Sequence, residues 1–117
     1  MKMLVLEDNE DRIKVFKEAL IKHDVDYTDS SKEAIELLKK NPYVTIFLDH
    51  DLGGKEMVMS GENTGYEVAK FLSEHKSLMP KQVIIHSLNG VGSSNMKRAL
   101  PNALVVPGIW LKLKEMV

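Results

Sequence analysis

The chain has 117 residues, enough for one domain around one core and too few for two. Apolar residues make up 44% and charged residues 28%, and a formal net charge of −1 argues against broad electrostatic binding to nucleic acid or to an anionic membrane. The absence of cysteine excludes disulfide scaffolds, thiolate zinc sites and cysteine nucleophiles.

The opening run from Met1 to Leu6 meets an acid at Glu7, too soon for a secretory h-region. No stretch approaches the roughly 20 apolar residues that span a bilayer. A cytoplasmic location is the default expectation.

Met3 to Leu6 reads as the first strand. Asn9 is placed to cap the following helix, with Glu10 and Asp11 at the positive end of its dipole. Ile13, Phe16 and Leu20, with Val15 and Ala19, form one apolar stripe. Val25 to Thr28 reads as a short polar strand suited to an edge. Ser30-Ser31-Lys32-Glu33 has the pattern of a capping box, Ala34, Leu37 and Leu38 line that helix's apolar face, and Asn41-Pro42 ends it.

Val44 to Leu48 is almost wholly apolar and β-favouring, as a central parallel strand would be. A long loop from Leu52 to Asn63 follows, then a second capping-box pattern, Thr64-Gly65-Tyr66-Glu67, opening a helix through Val68, Phe71 and Leu72. Val83 to Ile85 is another central strand. A short helix is expected from Ser94 to Leu100, stopped by Pro101, then a strand from Ala103 to Val106 and a last helix from Ile109 to Val117. Strand and helix alternate throughout, so residues 1–117 are expected to form one α/β domain with a parallel sheet, helices on both faces and ligands bound at the carboxyl ends of the strands.

Those ends carry the chemistry. The first strand ends in Glu7-Asp8-Asn9, the third in Asp49-His50-Asp51 and the fourth in His86-Ser87-Leu88-Asn89. Clustered carboxylates are costly unless a cation neutralises them, and carboxylate oxygens suit Mg2+ or Mn2+. Each feature also has an ordinary reading: an acidic pair as a helix N-terminal turn, His50 as a solvated loop residue, His86 as a core histidine. His23 and His75 are expected at the surface.

These residues resemble receiver domains of two-component response regulators over nearly the whole chain. Glu7-Asp8 is similar to the receiver acidic pair, Asp49 to the phosphorylated aspartate, and Ser87 to the receiver serine or threonine. The resemblance implies a doubly wound (βα)5, flavodoxin-like fold with strand order 2-1-3-4-5. It also implies Mg2+ or Mn2+ held by Glu7, Asp8 and Asp49, with Ser87 facing a phosphoryl group. Val106 stands where receivers carry a lysine, and the loop after Asp49 is longer than theirs. Asp49-His50-Asp51-Leu52 and His86-Ser87-Leu88-Asn89 are instead similar to motifs of the cyclic-phosphate processing receiver family. That resemblance implies a metal-dependent phosphoesterase acting on a cyclic phosphate or nucleotide. A stand-alone phospho-accepting receiver and a non-catalytic binding domain are the alternatives.

In this scheme Asp51 adds a metal ligand or acts as base, and His50 or His86 donates the proton to the leaving oxygen. Continued strand alternation would put Asp49 and Asp51 on one face and His50 on the other. Ser87 and Asn89 would bond phosphate oxygens, Lys97 and Arg98 would offset the missing lysine, and Gly53 to Asn63 would serve as a lid. The expected partner is a small phosphate or nucleotide, with neither membrane nor general nucleic-acid binding, and a homodimer is left open.

Overall fold

The computed structural model describes residues 2–52, 59–61 and 63–116. In chain order these form β1 (Lys2–Leu6), α1 (Glu10–Ala19), β2 (Asp24–Thr28), α2 (Ser31–Lys40), β3 (Tyr43–Leu48), α3 (Gly65–Glu74), a 3-10 turn (Lys76–Leu78), β4 (Gln82–Ile85), α4 (Gly90–Ala99), β5 (Leu104–Val105) and α5 (Ile109–Met116). The five strands are parallel, in the order β2-β1-β3-β4-β5. The parallel sheet is the one the alternation of elements implies, and its order is the one implied by the resemblance to receiver domains. Among the described residues, no helix is long and apolar enough to cross a membrane.

Residue alternation along the central strands builds two cores. Leu4, Leu6, Ile46, Leu48, Val83 and Ile85 pack against Ala34 and Leu38 of α2, Val68 and Leu72 of α3, and Met96 of α4. Val5, Phe47 and Ile84 point the other way, onto Phe16 and Leu20 at α1 and Trp110 of α5. Each fully buried Leu or Phe side chain contributes about 1.5–3 kcal/mol relative to exposure. The apolar stripe of α1 is thus explained: Phe16 is fully buried and stands edge-on to Phe47, with ring centroids 5.3 Å apart.

The caps differ in part from expectation. Asn9 accepts from the Arg12 N–H, and Ser30 accepts from the Glu33 N–H, as the sequence suggests. Thr64 makes no side-chain cap to α3. Its hydroxyl donates to the Gly61 carbonyl at 2.8 Å instead, while Glu67 accepts from the Ser31 hydroxyl and the Asn63 N–H, tying the start of α3 to that of α2. Helix α4 begins at Gly90, four residues before the expected Ser94. Asn89 caps it by accepting from the Gly92 N–H at 3.0 Å, and the two poor helix formers Gly90 and Gly92 hid this first turn. Strand β5 is only two residues long. His23 and His75 are exposed, as expected, and His75 stacks on Phe71.

Candidate functional site

Register brings the first cluster together. Leu6 pairs with Leu48, and Leu48 with Ile85, so β1, β3 and β4 end in one row. The hydrogen bonds continue one residue further: Asp49 N–H donates to the Leu6 carbonyl at 3.1 Å, and His86 N–H to the Leu48 carbonyl at 3.0 Å. Glu7, Asp49 and His86 therefore stand side by side, each one residue past its strand. One ligand atom from each lies within 4.8 Å of the others, and all three residues are 2% exposed or less.

Every polar feature of Glu7 is held. One carboxylate oxygen accepts from the backbone N–H groups of Asp8 and Asn9 at 3.0 and 3.1 Å. The other accepts from His86 Nε2 at 3.1 Å, with the Arg12 guanidinium 3.9 Å away. Since a carboxylate only accepts, His86 carries its proton on Nε2. Among the described residues, no polar atom meets His86 Nδ1. The imidazole lies edge-on to both Phe16 and Trp110, at 5.2 and 5.7 Å between centroids. The Arg12 guanidinium sits over the same Trp110 ring at 4.5 Å.

Burial governs the protonation of this row. Desolvation, reinforced by the neighbouring Glu7 charge, pushes Asp49 up to about 7. Burial also raises Glu7, offset by the hydrogen bonds from Asn9 and Asp49. Burial depresses His86 to about 4, so its ring is neutral at pH 7. The two carboxyls face each other, and the raised Asp49 is the one that takes up a proton as the pH falls through about 7. A divalent cation would replace that proton. The carboxylates of Glu7 and Asp49 are oxygen donors that fit Mg2+ or Mn2+, while His86, with its proton on Nε2, holds Glu7 rather than an ion.

A second cluster lies beside the first. Strand β3 stops at Leu48, so alternation does not carry Asp49 and Asp51 to one face. Asp49 joins Glu7, while Asp51 turns to His50, whose Nδ1 is 2.7 Å from Asp51 Oδ1. His50 is fully buried rather than solvated. Its Nε2 lies 2.8 Å from Ser60 Oγ. Asn89 Nδ2 donates to Asp51 Oδ1 at 3.0 Å. Asp49 Oδ1 accepts from the His50 N–H at 2.9 Å and so joins the two clusters.

The remaining sequence candidates have definite places. Asp8 is half-buried next to Glu7. Ser87 is buried and accepts from the Asn89 N–H at 3.0 Å, shaping the turn into α4. Val106 donates its N–H to the Ile85 carbonyl, which puts an apolar residue next to His86 in the row. The structure does not bring Lys97 to these clusters. It lies in the last turn of α4, and its ammonium donates to the carbonyls of Pro101 (2.6 Å) and Ala103, ahead of β5. A helix that starts at the carboxyl end of β4 and rises about 1.5 Å per residue carries its eighth residue to the opposite end of the sheet. Arg98 donates to Asn95 Oδ1 at 2.8 Å. Of the expected lid, residues 53–58 and Glu62 lie outside the described residues.

Sequence reasoning missed Ser60, Gly65, Gly92, Asn95 and Arg12. Gly65 has a legible cause only in three dimensions: a Cβ there would fall 1.7 Å from the Asp49 carbonyl oxygen, against which α3 begins. Arg12 carried one usable signal, a basic residue on the first turn of a helix that starts beside an acidic strand end.

The sheet order and the acidic strand ends define a receiver-type domain. Solved structures agree on the fold. The phosphorylated cyanobacterial phytochrome response regulator RcpA is 21% identical, with a TM-score of 0.75 over 98% of this chain and 86% of that one. The Mn2+-bound response regulator Rcp1 is 16% identical, with a TM-score of 0.74 over 98% and 90%. The response regulator TrrA from Thermotoga maritima, solved with Mg2+–BeF, is 21% identical, with a TM-score of 0.71 over 98% and 94%. No curated protein matches the chain in sequence. The chain belongs to the cyclic-phosphate processing receiver domain family, whose model matches residues 2–102.

Proposed function

We propose that this chain is a metal-dependent phosphoesterase that opens a cyclic phosphate or cyclic nucleotide at the carboxyl edge of its sheet. The observation that carries the reading is the row of Glu7, Asp49 and His86, two carboxyls and an imidazole buried together with one ligand atom of each within 4.8 Å of the others. A bound Mg2+ or Mn2+ supplies charge neutralisation at the phosphoryl oxygens and a water of lowered pKa. Glu7 and Asp49 hold the ion, and Asp8, half-buried and next to Glu7 in the chain, is the further carboxylate of the set. His86 fixes the orientation of Glu7 through Nε2–H. His50, oriented by Asp51, handles the proton of the reaction. Ser87 and Asn89 hold the turn that brings Asn89 to Asp51. The family's description points to the same substrate class.

The test is a screen of cyclic mononucleotides, cyclic dinucleotides and 2′,3′-cyclic phosphates with Mg2+ or Mn2+. Metal-dependent ring opening by the wild type, lost in Asp49→Asn, is the expected result. No turnover of any of them with either metal would sink the reading.

A second reading has its own support. Asp49 directly follows the third strand of a fold shared with RcpA, which was solved phosphorylated. In that reading Asp49 accepts a phosphoryl group and the domain signals to a partner. A lasting acyl phosphate on Asp49 after treatment with acetyl phosphate, without turnover of cyclic esters, would select it.

A further inference from the structure

We propose that Ser60 is a nucleophile, activated through His50 and Asp51, which forms a covalent serine phosphoester with the substrate. The hydrogen-bond directions carry the inference. His50 Nδ1 lies 2.7 Å from Asp51 Oδ1, which only accepts, and 3.3 Å from Asn89 Nδ2, whose closer partner is Asp51 itself at 3.0 Å; the shorter contact makes Nδ1 the donor to Asp51 and leaves Nε2 as the basic nitrogen facing Ser60. On its other side Ser60 Oγ accepts from Asn95 Nδ2 at 2.9 Å. Arg98 fixes that amide, because its guanidinium donates to Asn95 Oδ1. The Ser60 hydroxyl proton therefore points at His50. Carboxylate, imidazole and hydroxyl stand in the order and at the distances that activate a serine.

The setting is built for this geometry. His50 is fully buried, and Asp51 is held by Asn89 Nδ2. Helix α4 passes so close that a Cβ on Gly92 would lie 2.3–2.6 Å from the His50 ring. Ser60 itself is only half-buried, so its oxygen has a route to solvent. A serine that merely latched the loop would need neither a directed proton nor an imidazole oriented by a carboxylate.

The step balances as follows. Ser60 Oγ attacks phosphorus, its proton passes to His50 Nε2, and the bond from phosphorus to the ring ester oxygen breaks. That oxygen takes the proton and becomes a free hydroxyl. Water then attacks phosphorus, expels Ser60 Oγ and returns its proton, leaving an acyclic phosphate monoester. The nucleophile is inferred from geometry alone, whereas its substrate class rests on the phosphoesterase reading above.

The experiment separates the two. The full chain is treated with a fluorophosphonate ester in EDTA and mapped by peptide mass spectrometry. One adduct on Ser60 is expected, formed as the P–O bond replaces P–F and fluoride departs with the proton. Its rate should fall about 100-fold or more in His50→Gln and in Asp51→Asn, and the adduct should vanish in Ser60→Ala. An unmodified Ser60 in folded wild type, or equal labelling in Asp51→Asn, overturns the proposal. Hydrolysis of bis(4-nitrophenyl) phosphate with Mn2+ gives a second readout. Loss in Asp49→Asn with Ser60→Ala within about threefold of wild type overturns the nucleophile and leaves the metal site standing. Labelling at Ser60 without any turnover upholds the nucleophile and removes the phosphoesterase.

Discussion

Gly92 and His50 fit together so closely that a single methyl group at position 92 would fall 2.3 Å from the imidazole Cγ. The backbone of α4 is thereby one wall of the histidine's slot. Glycine in the first turn of a helix is ordinarily a small liability, and here it is the condition for burying a ring that two other side chains hold in place.

Gly92→Ala should destabilise the fold by roughly 1–3 kcal/mol through overpacking, although the same change in an unobstructed helix stabilises by about 0.5–1 kcal/mol. Gly90→Ala is the control, since nothing lies within 4 Å of a Cβ built there. Urea denaturation of both variants checks the sign. A more stable Gly92→Ala protein would mean that His50 does not occupy this slot.

Mn2+ binding should release protons in a pH-dependent way. Asp49, raised to about 7, holds a proton below that pH which the ion must displace, while His86, lowered to about 4, is already neutral. Close to one proton should be released at pH 6 and close to none at pH 8, with affinity rising up to about pH 7 and then levelling. Calorimetry in buffers of different ionisation enthalpy counts them. Equal release at both pH values would contradict the raised Asp49.

In the metal-free protein, Asp49→Asn should raise the melting temperature at pH 8, because a charge buried against Glu7 is removed. The gain is bounded by a few kcal/mol, since one pKa unit corresponds to about 1.4 kcal/mol. The same variant should lose the thermal stabilisation that Mn2+ gives the wild type. Scanning calorimetry with and without the ion reads both effects, and an unchanged response to Mn2+ would remove Asp49 from the site.

Trp110 is the chain's one tryptophan, and its ring stands 5.7 Å from that of His86. Its emission should therefore change when Mn2+ binds, and the change should be absent in Asp49→Asn. A wild-type titration with no spectral response, under conditions where calorimetry shows binding, would place the ion away from this row.

Much of the architecture is written locally. Apolar runs such as Val44 to Leu48 and Val83 to Ile85 can only be central strands, and Asn9 and Ser30 announce their helices, because periodicity and capping involve residues within one turn of each other. The acidic and histidine-bearing strand ends are legible for the same reason. Which of those ends touch is another matter. Glu7, Asp49 and His86 form one row because Leu6, Leu48 and Ile85 share a register. The cap pattern at Thr64 failed because its hydroxyl turned to the Gly61 carbonyl and Glu67 found Ser31 on α2 and the Asn63 N–H just before the cap. Ser60 lies ten residues from His50 in a stretch without periodicity, and Lys97 is drawn away by the length of α4. Neighbours along the chain determined the elements and their chemistry; packing between elements decided which side chains share a proton, because burial and hydrogen-bond direction exist only once the sheet and helices have closed around them.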